Sequence, residues 1–509
     1  TLTKAGPGAF LLSYSRLLNA APGAAVDVAG GALGLDYTAD LGGSSAQTLT
    51  VRTGANLDLY RVYVPQSWTL ALEDGAHFSA RSSTSLAENV WEGPVSLLGG
   101  QALLGGGGSG TIAGPVSGPG GLVKSRGTTY LLNPENTYAG TTTVTNGVLY
   151  AAAAGSLPDP SPAKLNVRQN GALVVRYADD TATWPLAWGA ADVDVIATTA
   201  IFTQSSAALG FDPYYADATY DGDLSGFGLS KYGGNTQTLT GAVNAPGHLR
   251  VYDGALVLAG GTYNLLGTSS LYPGNTGSTA SLGTLSITGD TQVIGTDTGY
   301  KKPVTWVSPG HVANSRGVLN IRDNAFLQGR LYVAENSAGA GAIYQTGGTF
   351  NNTAGAAQDG RLGHSGYGYY RLDGGTVTNK GYTQLGANSS GIGILHQTGG
   401  SFIFNNGTTP AEGVVGTYYG GTLATRGGAG LFHITGGTLG TGNTPLVLAE
   451  WDGVGNYENG YSVLTLEGDA LVKTAYVNMA DRNSAPVSVV NLNGGTLQTQ
   501  YLRKGNRNN

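Results

Sequence analysis

"GAIYQTGGTF" occupies residues 341–350, and "GILHQTGGSF" occupies residues 393–402. The stretch recurs almost letter for letter, each time around a glycine pair. An active site needs such a stretch once, whereas a stacked part needs it in every copy. The pairs Gly347-Gly348, Gly374-Gly375, Gly399-Gly400, Gly436-Gly437 and Gly494-Gly495, with Gly468-Asp469 standing in once, align the C-terminal half. Ahead of them sit Ile343, Tyr370, Leu395, Phe432, Leu464 and Val490; behind them sit Phe350, Val377, Phe402, Leu439, Leu471 and Leu497. All of these are apolar or aromatic. The residues just after the first set, Tyr344, Arg371, His396, His433, Thr465 and Asn491, share no character. This alternation is that of a strand with one buried and one wet face.

A second element recurs in each unit, an apolar residue followed by Gly or Ala and then a polar residue. It reads Val333-Ala334-Glu335, Leu362-Gly363-His364, Leu385-Gly386-Ala387, Val415-Gly416-Thr417, Leu448-Ala449-Glu450 and Met479-Ala480-Asp481. Small residues let the backbone turn sharply after a strand. The 147 residues from Phe350 to Leu497 hold five repeats, about 29 each, the length of one coil of a parallel β-helix. The glycine pair is then a corner, repeated because each coil must turn where its neighbour turns.

Composition agrees. Of 509 residues 85 are Gly, 40% are apolar and 11% charged, and the glycines punctuate short runs of strand-forming residues. The chain reads as nearly all β. With 26 Lys and Arg and a formal charge of −6 it carries no basic footprint for nucleic acid. It has no cysteine, which excludes disulfide scaffolds, thiolate metal sites and cysteine nucleophiles. No apolar run approaches the ~18 residues of a membrane-spanning helix.

The N-terminal half follows another pattern. Leu2-Thr3-Lys4, Leu122-Val123-Lys124 and Leu229-Ser230-Lys231 lead to Leu12, Leu132 and Leu239, and V-x-x-G-x-L follows at Val28-Gly31-Leu33, Val144-Gly147-Leu149 and Val251-Gly254-Leu256. The middle copy reads "NPENTYAGTTTVTNGVLYAA" at 133–152. It resembles the passenger-associated strand repeat of autotransporter proteins, and the glycine-rich coils resemble the long repeats that accompany it in secreted bacterial surface proteins. The resemblance implies a right-handed β-helical stalk, extracellular or on the cell surface, serving as adhesin, spacer or structural protein. The expected organisation is a β-helix with strand-repeat motifs over 1–156, an aromatic and acidic insertion over 157–228, and a regular glycine-pair β-helix over 229–509. "LLGGGGSGTIAGPVSGPGG" at 103–121 is either a flexible linker or a run of tight coils, and the coils are favoured.

Two chemical readings stand beside the structural one. Parallel β-helices host polysaccharide lyases and glycosidases, and a glycosidase needs two carboxylates. The aspartates of "FDPYYADATYDGD", Asp212, Asp217, Asp221 and Asp223, with tyrosines beside them, could supply a pair, hold calcium, or be a solvated loop, which is the favoured reading. His396 and His433 take equivalent outward places, but the ladder they share also carries Tyr, Arg, Thr and Asn, which argues against a metal site. The second reading is an edge where Glu335, His364, Thr417, Glu450 and Asp481 line up beside Tyr367, Tyr418, Tyr419 and Trp451. Rings beside polar groups can stack on sugars and bond their hydroxyls. The expectation is therefore a non-catalytic structural or adhesive solenoid with no cofactor, with a glycan-binding or carbohydrate-active β-helix as the alternative. Because Thr1-Leu2-Thr3-Lys4 and Leu497–Leu502 each lie within a repeat, head-to-tail self-association into filaments is also expected.

Overall fold

The structure, a computed structural model, describes residues 1–13, 23–37, 41, 46–81, 88–266, 269–276, 280–295, 306–352, 360–379, 383–388, 390–404, 423–426, 428–442, 445–450, 460–479 and 487–504. Two units are formed, one by Thr1–Ala218 with Ser225–Gly228 and the other by Thr219–Leu224 with Leu229–Asn509. Each is a parallel β-helix in which a strand pairs with its counterpart one coil before and one coil after.

In the second unit each coil contributes three strands. The first ladder runs from Thr236–Leu239 through Arg316–Ile321, Ala340–Gln345, Tyr367–Leu372, Ile392–Gln397 and Ala429–Ile434 to Val487–Leu492. Its register sets Leu319, Ile343, Tyr370, Leu395, Phe432 and Leu464 one above another, all of them buried. The second ladder, which includes Thr349–Asn352, Thr376–Asn379 and Ser401–Phe404, stacks Phe350, Val377, Phe402 and Leu439 in the core. Each such side chain contributes roughly 1.5–3 kcal/mol by leaving water. In the last described coil Val490 and Leu497 are both half-buried.

The glycine pairs turn the chain between these two ladders, for two reasons. The second glycine holds a left-handed backbone, with φ of +62° at Gly348 and +61° at Gly400. A Cβ at Gly348 would also lie 2.2 Å from the carbonyl oxygen of Ala325 in the coil before. Only a residue without a side chain meets both conditions.

One position departs from the repeat. Leu439 is in register with Val472, not Leu471, and Val472 in turn pairs with Leu497. Gly468-Asp469 does not replace a glycine pair one for one. Four residues, Glu467 to Ala470, separate the strands Tyr461–Leu466 and Leu471–Met479, against three at Thr435-Gly436-Gly437. The longer corner is a β-turn in which the amide of Ala470 donates to the carbonyl of Glu467, and the extra residue moves the buried position from Leu471 to Val472.

The first unit uses the same design with other corners. Leu2–Lys4, Ala25–Val28, Gln47–Val51, Trp68–Leu72, Val95–Leu97 and Val116–Ser117 form a parallel sheet in that order. Residues 103–121 are tight coils: the strands Gln101–Gly105, Ser109–Ile112 and Val116–Ser117 run through them, and a Cβ at Gly114 would lie 2.0 Å from the oxygen of Gly93. Residues 157–228 contribute two ladder strands to this unit, Leu165–Arg176 and Ala208–Asp212, with the helix Ala190–Ile196 between them in sequence.

The lysines of the N-terminal pattern have a packing role. Lys4, Lys124 and Lys231 stand in register with Val28, Val144 and Val251, so each motif spans two successive coils. The Lys231 amine donates to the carbonyls of Tyr232 and Gly233 in its own corner, at 2.7 Å each, and to that of Asp253 in the next, at 3.1 Å. Lys4 does the same with Ala5, Gly6 and Gly30, whereas Lys124 donates to Arg126 in its own corner and to Leu104 on the strand one coil before. Lys4 and Lys231 thereby satisfy corner carbonyls that strand pairing leaves over, while the Leu104 carbonyl also accepts from the Ser125 amide.

Candidate functional site

The second unit's third ladder builds the site. Its strands include Leu271–Pro273, Trp306–Val307, Arg330–Val333, Gly360–Leu362 and Thr383–Leu385. Beyond them the backbone enters the left-handed region at Gly274, Gly310, Ala334, Gly363 and Gly386, with φ from +52° to +70°. The amides of Gly310, Ala334, Gly363 and Gly386 each donate to the carbonyl of the residue one coil before, at 2.9–3.0 Å. This repeated corner brings His311, Glu335 and His364 into one column.

The Nδ1–H of His311 donates to Oε2 of Glu335 at 2.9 Å, and the Nδ1–H of His364 donates to the Glu335 carbonyl at 3.0 Å. His364 is thereby left with Nε2 as acceptor, and the guanidinium of Arg361 donates to it. Outward residues of the strands supply rings. His311 stacks on Tyr272 at 4.2 Å between centroids, and Trp306 stacks on Tyr332 at 5.1 Å with planes 8° apart. The guanidinium carbons of Arg330 and Arg361 lie 4.7 and 5.0 Å from the Tyr332 ring centroid.

Burial sets the charges. It pushes the His248 imidazole, which packs against Tyr272, down to about 4, with Arg250 and His311 acting the same way. Burial and then Arg361 also lower His364. These two rings are neutral near neutral pH, and the arginines carry the positive charge. Several buried atoms on this ladder have no hydrogen-bond partner among the described residues, including Trp306 Nε1, Arg361 Nε and Gln384 Nε2. The stacked rings and guanidinium charge of this face suit a hydroxylated or anionic ligand.

Of the residues expected at this edge, Glu335 and His364 are together. Tyr367 opens the following strand, Tyr367–Leu372, and is exposed in the outer row of the first ladder in register with Ala340 and Ile392. Glu450 ends the strand Leu446–Glu450, in register with Arg426. Thr417, Tyr418, Tyr419, Trp451 and Asp481 lie outside the described residues, as do Val415 and Gly416. The third-ladder strand of that coil is Leu423–Arg426, in register with Thr383–Leu385. Sequence reading missed His311, Tyr272, Trp306, Tyr332 and Arg361. "PGH" at 309–311 carries the same Gly-His corner as "LGH" at 362–364, one coil before Val333-Ala334-Glu335.

The aspartates of 212–223 are divided between the units. Asp212 is buried in the first and accepts a hydrogen bond from the Tyr150 hydroxyl, and Asp217 is exposed there. Asp221 and Asp223 belong to the second unit and are exposed, Asp223 accepting from the amide of Ala242 at 2.7 Å. His396 and His433 are in register and stacked at 4.9 Å. Among the described residues no group of three or more His, Cys, Asp or Glu could hold a metal ion, and no helix is long and apolar enough to cross a membrane.

No protein-family model, curated protein or solved structure matches the chain.

Proposed function

We propose that the chain is a non-catalytic structural or adhesive β-solenoid of the bacterial cell surface or extracellular space, a stalk, matrix or filament subunit of the kind its strand-repeat resemblance implies. One observation carries this reading: core ladders, corner glycines and corner lysines all serve the stacking of one coil on the next. Self-association is part of the proposal, since backbone pairing from coil to coil is the interaction that would also join copies. The test pairs electron microscopy of the concentrated protein with incubation against plant, algal and bacterial polysaccharides. Filaments without cleavage are expected. Cleavage of any glycan that is lost in the Asp217→Asn, Asp221→Asn double variant or in Glu335→Gln would replace this reading with an enzymatic one.

A second reading, glycan binding by the third-ladder column, is favoured by the stacked Trp306–Tyr332 pair beside the guanidinium groups of Arg330 and Arg361. Trp306→Ala removes the half-buried ring of the stack, so weaker retention on a glycan array by this variant is the expected result. Equal retention would remove the column from the reading.

A further inference from the structure

The first unit carries a groove of about 390 Å³ on the outer face of four successive coils. Its floor is a register row, Val123, Thr143 and Asn166, from the strands Gly121–Lys124, Thr142–Ala151 and Leu165–Arg176, and Gln101 of the strand Gln101–Gly105 lines it one coil earlier. Pro162, Ala163 and Lys164 line it where the chain enters the strand Leu165–Arg176. Its polar lining includes Gln101, Thr143, Thr145, Lys164, Asn166 and Arg168.

We propose that this groove binds an anionic polysaccharide, a chain of sugars bearing carboxylate or sulfate. Three observations carry the assignment. None of the lining residues is acidic, although the whole protein is at −6, so two cations face a ligand without a competing carboxylate in the groove. Asp159 lines the adjoining hollow of about 240 Å³ with Lys164, whose charge it feels, and is turned to the Ser161 amide. The polar groups are also held in place: Gln101 Nε2 donates to Thr141 Oγ1 at 2.7 Å, Arg168 Nε to Asn166 Oδ1 at 2.6 Å, Thr145 Oγ1 to the Lys124 carbonyl at 2.9 Å, and the Lys164 amine to the Ala139 carbonyl at 2.5 Å. Fixed hydroxyl and amide groups present donors and acceptors to sugar hydroxyls at little ordering cost. Finally, from the coil of Gln101 to that of Asn166 three coil spacings of ~4.8 Å make the groove roughly 14 Å long, which fits several linked sugars rather than one small anion. No aromatic ring lines the groove, so recognition rests on charge and hydrogen bonds rather than stacking.

The test uses polymer pairs that differ in charge alone: carboxymethylcellulose against hydroxyethylcellulose, and dextran sulfate against dextran, by titration calorimetry with the full chain. Binding of at least one charged member and of neither neutral one is expected, weakening as salt rises from about 0.05 M to about 0.5 M. The pair that responds tells carboxylate from sulfate. The Lys164→Gln, Arg168→Gln double variant should lose about tenfold in affinity, and Thr143→Glu should do so by placing a negative charge on the floor. Unchanged melting temperatures would show that both variants are folded. Equal affinity for charged and neutral polymers, no binding to any, or full affinity in folded Thr143→Glu would overturn the proposal. So would equally tight binding of single-stranded DNA, which would mark a general polyanion surface. Failure here leaves the solenoid reading standing, since that reading is tested by filaments and cleavage.

Discussion

The two units solve the same stacking problem with different corners and different outer faces. In the first unit Val26, Leu49, Leu70, Val95 and Val116 follow one another at 23, 21, 25 and 21 residues. In the second, Ile321, Gln345, Leu372, Gln397 and Ile434 follow at 24, 27, 25 and 37. The extra length lies outside the ladders. Three residues separate Thr376–Asn379 from Thr383–Leu385, whereas eighteen separate Ser401–Phe404 from Leu423–Arg426. A coil tolerates insertion between strands because closing a longer loop costs little, while a shift within a strand would turn its core face outward.

The outer faces differ too. Arg52 in the first unit spans coils by pairing with Asp27 at 2.9 Å and Glu73 at 2.6 Å, and Arg81 pairs with Asp58 at 2.6 Å. The second unit makes its charged contacts between coils with histidine, His311 on Glu335 at 2.9 Å and His433 on Glu467 at 3.3 Å, and His396 stacks on His433 at 4.9 Å. Ion pairs in water add little stability, so in both units the common core and backbone ladders hold the coils together.

The largest effect that would test this shared core is a charge placed inside it. Leu395→Asp and Leu70→Asp should each destabilise their unit by about 3–5 kcal/mol, because each buries a carboxylate without a partner. His396→Asp, on the outer face beside Leu395, should stay within about 1 kcal/mol. Denaturant unfolding measures all three, and equal losses at 395 and 396 would reverse the inside–outside assignment.

The corners differ next. Gly400→Ala must hold φ near +61° with a Cβ 2.6 Å from the Gly375 carbonyl oxygen, and should cost about 2–4 kcal/mol. At Gly54, in a four-residue corner of the first unit, φ is +72° but nothing lies within 4 Å of a Cβ, so Gly54→Ala should cost about 1 kcal/mol. Equal costs would mean that conformation alone, and not the approach of the neighbouring coil, selects the glycine pair.

Much of this was legible in the sequence. Ile343, Leu395 and Phe432 are recognisable as core because their periodicity is local to one strand, and Gly399-Gly400 as a corner because few other residues could turn there. Leu471 misled because a four-residue β-turn and a glycine pair look alike in sequence yet differ by one residue in register.

A third test concerns the corner lysines. Burial pushes the Lys124 amine down to about 7 in the fold, against about 10.5 unfolded. A lowered lysine value means that the unfolded chain binds more protons between those limits, so stability should rise as pH goes from about 7 to about 10. The slope from this group is at most about 1.4 kcal/mol per pH unit. Lys124→Met should lose that increment, and pH-dependent unfolding of the two proteins side by side measures it. A difference between them that does not change with pH would mean that the carbonyls of Leu104 and Arg126 hold the ammonium charged throughout. The smallest effect is expected from Arg52→Gln, which should leave the melting temperature almost unchanged at moderate salt.

The sequence by itself determined that the chain is all-β, that its coils turn at glycine pairs, and which strand residues face inward, because each of these depends on residues within one short strand and its corner. Tertiary structure alone decided what each side chain meets in the next coil. That is how His311, Glu335 and His364 come to share a column, how Lys4, Lys124 and Lys231 reach carbonyls of neighbouring coils, and how Asp212 is drawn inward to Tyr150. These partners lie 20 or more residues away along the chain, and coil length, which varies from coil to coil, selects them. Local periodicity carries no record of that length, so the ladders could be read in the sequence and the contacts between coils could not.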